Sequence, residues 1–174
     1  MIELDSKKYL SDRIYSLEEF VCQKLEEIRK LGQKIGLCAG SFDLLHPGHI
    51  THLVSAKKSC DCLVVAVARD ESCKNKHETF GRPIYSHDIR AFMVASLKPV
   101  DFVVLDYADK KTIEQIQPDV FFKGSDYSDR KNPIIAEVAR YLEERGKKVI
   151  FTEDEKFSTS DVIKYIQRHV SLVR

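Results

Sequence analysis

From residue 34 onward, two patterns alternate along the chain: short apolar runs and stretches in which apolar residues recur at helical spacing. Five short runs are rich in Val, Ile or Phe and nearly free of polar residues, as expected of strands buried on both faces of a parallel sheet. These predicted strands are residues 34–39, 62–68, 102–105, 120–122 and 148–151. Stretches with helical spacing of apolar residues lie between and after them, at residues 48–59, 86–97, 110–115, 133–145 and 160–169.

This alternation predicts an α/β fold, a Rossmann-like doubly wound sheet of five parallel strands joined by right-handed crossovers. A strand order of 3-2-1-4-5 would make the first and fourth strands neighbours where the winding reverses. Residues 16–31 differ, because apolar residues recur there at helical spacing between charges, which predicts an amphipathic helix. We therefore predict one domain at residues 34–174 with an N-terminal helical extension at residues 1–33, used for packing or a dimer contact.

Composition narrows the classes of partner. Positive and negative residues nearly cancel, which leaves a formal net charge of +1 over 174 residues. Nucleic-acid-binding domains usually carry a basic surplus, so we expect no nucleic-acid partner and a small polyanion held in one local pocket. The sequence shows neither a signal-peptide pattern nor an apolar run of membrane-spanning length, which predicts a cytoplasmic protein without a membrane partner.

The number and the surroundings of the cysteines predict that they are reduced thiols. Their number is odd, five in the chain, and their neighbours are apolar, both of which argue against a disulfide framework. Cys60 and Cys62 are separated by a single residue, which does not suit a zinc knuckle, and no second pair accompanies them. We predict no structural metal.

The most informative segment follows the first predicted strand and reads Gly-Ser-Phe-Asp-Leu-Leu-His-Pro-Gly-His, residues 40–49. Ligands of doubly wound sheets lie outside the carboxyl ends of the strands, where this loop falls. Gly40 would let a ligand approach the backbone, and Ser41 offers a hydroxyl. His46 and His49 are three residues apart across a helix start, so both imidazoles can face one point.

That helix start suits a phosphate. Pro47 and Gly48 are favourable in a first turn, and the free N–H groups of a helix N-terminus attract anions. Two histidines alone bind a metal weakly, and no nearby Cys or Glu completes a set of ligands. The segment is neither a P-loop nor a Gly-x-Gly-x-x-Gly dinucleotide turn. Phosphate binding is therefore the prediction for His46 and His49.

The pattern Gly-x-Phe-Asp-x-x-His-x-Gly-His resembles the signature of the cytidylyltransferase-like nucleotidyltransferases, and the resemblance extends over roughly residues 34–169. It implies that His46 and His49 contact triphosphate oxygens and stabilise the transition state at the α-phosphorus. It implies Mg²⁺ on the nucleoside triphosphate, held largely by phosphates and water, and a possible homodimer. The remaining positions of the loop that it assigns to the nucleotide site are Gly40, Ser41, Phe42, Asp43 and Gly48.

Two further stretches are similar to parts of that family's site. Ser158, Thr159 and Ser160 resemble its Ile-Ser-Thr-Thr motif, which binds the β and γ phosphates, although helix capping alone would also explain hydroxyls there. The polar stretch 70–82 is predicted as a loop, in which the resemblance gives Lys74 a catalytic role. A solvated loop or a surface salt bridge is the alternative explanation for the basic residues here. Those that the resemblance assigns to the acceptor are Lys76, Arg82 and Arg90.

The segment after the fourth strand refines the function. Lys-Gly-Ser-Asp-Tyr at residues 123–127 resembles the Lys-Gly-Gly-Asp-Tyr of ADP-heptose synthase adenylyltransferase domains, which implies transfer of AMP from ATP to a sugar 1-phosphate, heptose by resemblance. The alternatives are a cytidylyltransferase acting on glycerol 3-phosphate or a similar alcohol, and, more distantly, a non-catalytic ATP-binding module. The nucleotide contacts predicted in this segment are Lys123, Gly124, Asp126 and Tyr127. A simple turn at the end of the strand is the alternative explanation for these residues.

Overall fold

The computed structural model describes residues 9, 12–74, 83–124, 132–153 and 157–170, with the backbone only at Lys74. The strands in these ranges are β1 (Ile14–Ser16), β2 (Ile35–Gly40), β3 (Cys62–Val67), β4 (Phe102–Leu105), β5 (Val120–Gly124) and β6 (Lys148–Thr152). The first helix, α1, combines Leu17–Phe20, a π-helical turn Val21–Leu25, and Glu26–Lys30. The others are α2 (Pro47–Lys57), α3 (Asp70–Lys74), α4 (His87–Ala95), α5 (Lys110–Ile116), α6 (Pro133–Glu143) and α7 (Thr159–Val170).

All the strands pair in parallel in one sheet, in the order β1-β4-β3-β2-β5-β6. The five strands predicted from sequence are therefore present in the predicted relative order. The predicted count of five was wrong, because β1 adds a sixth strand at the edge, with Ile14 opposite Val103. Arg13 holds this edge in place by donating through Nε to the carbonyl of Asp101 and through Nη2 to that of Val100.

Helices cover both faces of the sheet, which confirms the doubly wound architecture. On one face, α2 and α4 contribute buried residues such as Leu53 and Val94. On the other, α1, α5 and α6 contribute buried residues such as Phe20, Ile113 and Leu142. All six residues of β3 are buried because both of its faces pack on helices, and this explains its continuous apolar run.

The N-terminal segment is tied to the sheet at the start of α1. Ser16 closes β1 and caps α1, since its hydroxyl accepts from the Glu19 amide while the Glu19 carboxylate accepts from the Ser16 amide. This capping box satisfies amides that the first helical turn leaves without intrahelical partners. The predicted helix at residues 16–31 is confirmed, and the domain boundary at residue 33 stays a prediction.

One local prediction was wrong. Residues 70–82 were expected to form a loop, but the first part of that stretch is the short helix α3; the rest lies outside the described residues. Among the helices that the structure describes, none is both long enough and apolar enough to cross a membrane.

Candidate functional site

The two histidines of the loop after β2 lie side by side at the start of α2. His46 is the N-cap residue, in extended backbone conformation, and His49 falls in the first turn. Their rings stack with centroids 3.7 Å apart and planes 21° from parallel. His46 is 8% exposed and His49 is half-buried. The two imidazoles are therefore adjacent, whereas the expectation that both face one point and contact a triphosphate stays a prediction.

Phe42 supports this pair from within the loop. Its φ is +50°, in the left-handed region that costs a residue with a Cβ about 1–3 kcal/mol. Its side chain is 3% exposed, and burying a phenyl ring contributes about 1.5–3 kcal/mol, which offsets that strain. The ring lies 5.1 Å from the His49 imidazole, centroid to centroid. Phe42 therefore limits where the His49 ring can lie.

Gly40 makes room for that ring. A Cβ at this position would come within 3.1 Å of the Phe42 side chain, closer than most real contacts of a Cβ. The sequence suggested that Gly40 lets a ligand approach the backbone, and this stays a prediction. The structure adds an internal reason, since a larger residue would push against Phe42 and so against His49.

Asp43 fastens the loop to the segment that precedes α4. The side chain is 1% exposed, and its Oδ1 accepts from the amides of Ile84 and Tyr85, at 2.8 and 3.1 Å. A buried carboxylate needs such partners because desolvation penalises its charge. Asp43 thus has a structural use besides its predicted place in the nucleotide site.

Arg90 does not lie where the sequence suggested. It was predicted to contact the acceptor, but its side chain is fully buried. The guanidinium donates to the carbonyls of Tyr85, Ala68 and Ser41 and to the Asp70 carboxylate. Direct substrate contact is incompatible with this burial, because every part of the group faces protein. No sequence pattern indicates this burial, since most of the acceptors come from distant segments.

The start of α7 adjoins the same loop. Thr159 is 7% exposed, and its hydroxyl lies 3.5 Å from the Leu44 carbonyl as donor. The Phe157 ring lies 6.5 Å from the His46 ring. The Ser158 hydroxyl caps the helix by accepting from the amide of Asp161 and donates to its carboxylate, so the capping explanation holds for this residue. Ser160 is half-buried one residue beyond Thr159. The predicted phosphate motif is therefore beside the histidines.

A cleft that is partly open to solvent lies at the carboxyl ends of the central strands. Gly40 and Ser41 form part of its wall. Lys123, at the end of β5, borders it and donates through Nζ to the Ala39 carbonyl at 2.9 Å. Asp106, which directly follows β4, also borders the cleft, and its Oδ1 accepts from the Tyr107 amide. Sequence reasoning missed Asp106, although its place at a strand end could have revealed it.

Several predicted residues cannot be placed. Lys76, Arg82, Asp126 and Tyr127 lie outside the described residues, as does the side chain of Lys74. Gly48 is half-buried in the first turn of α2, and Gly124 ends β5, which adjoins β2 as predicted. The roles of all these residues stay predictions.

All five cysteines are free thiols. Burial raises the pKa of Cys60 to about 11 and that of Cys62 to about 12, so both thiols stay protonated at neutral pH. Across the described ranges, no group of three or more His, Cys, Asp or Glu side chains is arranged to hold a metal ion. The absence of a protein-held metal stays a prediction.

Comparison with known proteins identifies the family of this chain. The family model described as cytidylyltransferase-like matches residues 37–165, which include β2, the histidine loop and the start of α7. The chain belongs to the cytidylyltransferase-like family. It is therefore a nucleotidyltransferase, and the family predicted from the loop is confirmed.

Three relatives show the range of this similarity. A FAD synthase of Aciduliprofundum boonei is 42% identical over 130 residues, which cover 72% of this chain and 81% of that protein. The bifunctional protein HldE of Nitrobacter hamburgensis is 34% identical over 168 residues, which cover 91% of this chain but only 33% of that protein. The crystal structure of a lipopolysaccharide core biosynthesis protein from Thermoplasma volcanium is 32% identical, with a TM-score of 0.59, and the match covers 71% of this chain and all of that one.

Proposed function

We propose that this nucleotidyltransferase transfers AMP from ATP to a sugar 1-phosphate, with heptose 1-phosphate as the first candidate, and releases pyrophosphate. The observation that carries the proposal is the stacked pair of His46 and His49 at the N-terminus of α2, beside the start of α7. Two imidazoles and two helix N-termini offer hydrogen-bond donors to one polyanion without a large net charge. A triphosphate lying along both helix starts would meet all of them.

The nucleoside of ATP would occupy the cleft beside Gly40 and Ser41, which are predicted nucleotide contacts. Lys123, also a predicted nucleotide contact, borders this cleft, and the Asp106 carboxylate would accept a hydrogen bond from a ribose hydroxyl. The triphosphate would extend from the cleft towards the histidines, and the acceptor phosphate would approach the α-phosphorus in line with the departing pyrophosphate. An acceptor phosphate oxygen then forms a bond to the α-phosphorus while the bond from that phosphorus to the bridging oxygen of the β-phosphate breaks.

No general base is needed, because the acceptor phosphate is already an anion near neutral pH. Catalysis would come from positioning and from donors that offset the charge developing on the phosphoryl oxygens. His46 and His49 would supply those donors, and Lys74 is predicted to add a third. Mg²⁺ fits this site as a companion of the nucleotide: the triphosphate and water would hold it, since the chain supplies donors to phosphate rather than a cage of carboxylates.

The extent of the match to HldE, which has a heptose 1-phosphate adenylyltransferase domain, favours the sugar acceptor. That match covers 91% of the chain, so it extends into the N-terminal segment that contains α1. FMN is the second candidate acceptor, because the FAD synthase relative has the higher identity, 42% against 34%. Both candidates require ATP.

A panel of nucleotides and acceptors tests the proposal. The protein is incubated with ATP or CTP and with each anomer of heptose 1-phosphate, FMN or glycerol 3-phosphate, and pyrophosphate and the joined product are measured. We expect pyrophosphate and an ADP-sugar with ATP and heptose 1-phosphate. Formation of FAD would show that the acceptor is FMN rather than a sugar 1-phosphate. Turnover of CTP with glycerol 3-phosphate would establish the cytidylyltransferase alternative. ATP binding without pyrophosphate release from any acceptor would point to a non-catalytic module.

A further inference from the structure

Arg90 joins three separate segments around the histidine loop. Its Nε donates to the Tyr85 carbonyl at 3.0 Å, and its Nη2 donates to the Ala68 carbonyl at 2.8 Å and to Asp70 Oδ1 at 2.6 Å. Its Nη1 donates to the Ser41 carbonyl. A buried cation is costly unless it is paired and fully hydrogen-bonded. Here each guanidinium nitrogen donates to at least one acceptor, so the group fixes the distances between the ends of β2 and β3 and the start of α4.

The carbonyl that Arg90 holds is the one directly before the strained residue of the loop. The peptide plane between Ser41 and Phe42 sets the entry into the left-handed conformation of Phe42, whose φ is +50°. The Phe42 ring lies 5.1 Å from the His49 ring, which in turn stacks on His46 at 3.7 Å. An unbroken series of contacts therefore leads from the buried guanidinium to the two imidazoles.

The same segment is fastened to the loop a second time. Asp43 accepts from two amides just before α4, as described above, and His87 Nδ1 in the first turn of α4 lies 3.0 Å from Asp70 Oδ2. Asp70 thus accepts a hydrogen bond from Arg90 through Oδ1, and its Oδ2 lies close to the His87 ring. Loop, α3 and α4 form one braced unit behind the histidines.

We propose that Arg90, held by Asp70, is a positioning residue that sets the placement of the His49 and His46 imidazoles; its effect on catalysis rests on the proposed function. It touches no substrate and acts through Ser41 and Phe42. Lysine cannot replace it, because one ammonium group cannot span acceptors that a planar guanidinium reaches in different directions.

The test compares Arg90→Lys with Arg13→Lys. Arg13 is the control, since it too donates to backbone carbonyls, two against the three of Arg90, but at the β1 edge of the sheet, away from the loop. Both variants should lose some thermal stability. Only Arg90→Lys should lower kcat, by about ten- to a hundredfold as expected for a misplacement approaching 1 Å, with the KM for ATP much less affected. Asp70→Asn, which keeps the shape but weakens the hold on Arg90, should lower kcat in the same direction.

A second readout does not depend on turnover. The ring carbon–proton NMR signals of His46 and His49 should shift in Arg90→Lys and Asp70→Asn and stay in place in Arg13→Lys. Unchanged ring signals, or a kcat in Arg90→Lys equal to that of Arg13→Lys, would overturn the positioning role. If Arg90→Lys does not fold, Asp70→Asn decides by the same two measurements. If the wild-type protein shows no turnover with any acceptor, the proposed function fails and the NMR comparison still decides the role of Arg90.

Discussion

Removing the His49 imidazole is the most direct test of the site. In His49→Ala the ring that stacks on His46 and contacts Phe42 is lost, while the backbone of α2 keeps a residue that favours helices. The ring is half-buried, so its loss should cost the fold only about 1 kcal/mol. The protein should therefore stay folded, and the effect on turnover can be read separately.

The expected effect on turnover follows from the placement of the ring. A preorganised donor to charge that develops in the transition state contributes about 3–4 kcal/mol, and about 1.4 kcal/mol corresponds to a factor of ten in rate. His49→Ala should thus lower kcat by about a hundredfold or more. The KM for ATP should change far less, because an interaction that strengthens in the transition state contributes little to ground-state binding.

His52→Ala is the matched control, on the same helix and one turn further along. His52 Nδ1 lies 2.7 Å from Thr152 Oγ1, a contact between α2 and the end of β6 rather than part of the histidine pair. Its loss should cost about 1 kcal/mol of stability and leave kcat close to that of the wild type. Steady-state pyrophosphate release and thermal unfolding of both variants provide the comparison. A His49→Ala enzyme that turns over as fast as His52→Ala would refute the assigned role of the imidazole.

Three smaller predictions concern the acid stability of the fold and the two halves of the site. Partial burial acts to raise the pKa of Asp119, but hydrogen bonds from Lys147 and the Ile35 amide outweigh it and lower that pKa; its contribution to stability should be present at neutral pH and lost as the pH falls below about 4. Urea unfolding at pH 7 and pH 3 should show a smaller difference for Lys147→Met than for the wild type, and an equal difference would contradict this. Asp106→Asn should raise the KM for ATP without raising that for the sugar acceptor, and no change in either would remove Asp106 from the nucleotide site. Thr159→Val should raise the KM for ATP at nearly unchanged thermal stability, and an unchanged KM would argue against a phosphate contact.

The strands could be predicted because their burial leaves a simple trace in the sequence. β3 packs on helices from both sides, so each of its six residues is apolar and no polar position interrupts the run. β1 left no such trace, since it has three residues and ends in Ser16, which caps the next helix. Its place in the sheet comes from pairing with β4 and from Arg13, and the residues involved are far apart in the sequence.

The candidate site likewise has features that could be predicted from the sequence and features that could not. The proximity of His46 and His49 could be expected from their spacing across a helix start, but the stacking of their rings was not predicted. The burial of Arg90 could not, because its acceptor at Ser41 is 49 residues away and only the folded sheet brings the two together. The sequence around an arginine on a helix is the same whether its side chain faces solvent or is buried beneath a loop.

The structure also separates two kinds of residue within the histidine loop. Gly40, Phe42 and Asp43 were grouped with the histidines as nucleotide contacts, but each has a use that requires no ligand. Gly40 accommodates the Phe42 ring, Phe42 limits the His49 ring, and Asp43 holds the amides before α4. Such residues would have to be present even if only the imidazoles met the triphosphate, because a donor stabilises a transition state only when its position is fixed beforehand. The short loop therefore contains both the proposed catalytic groups and part of the support that fixes them.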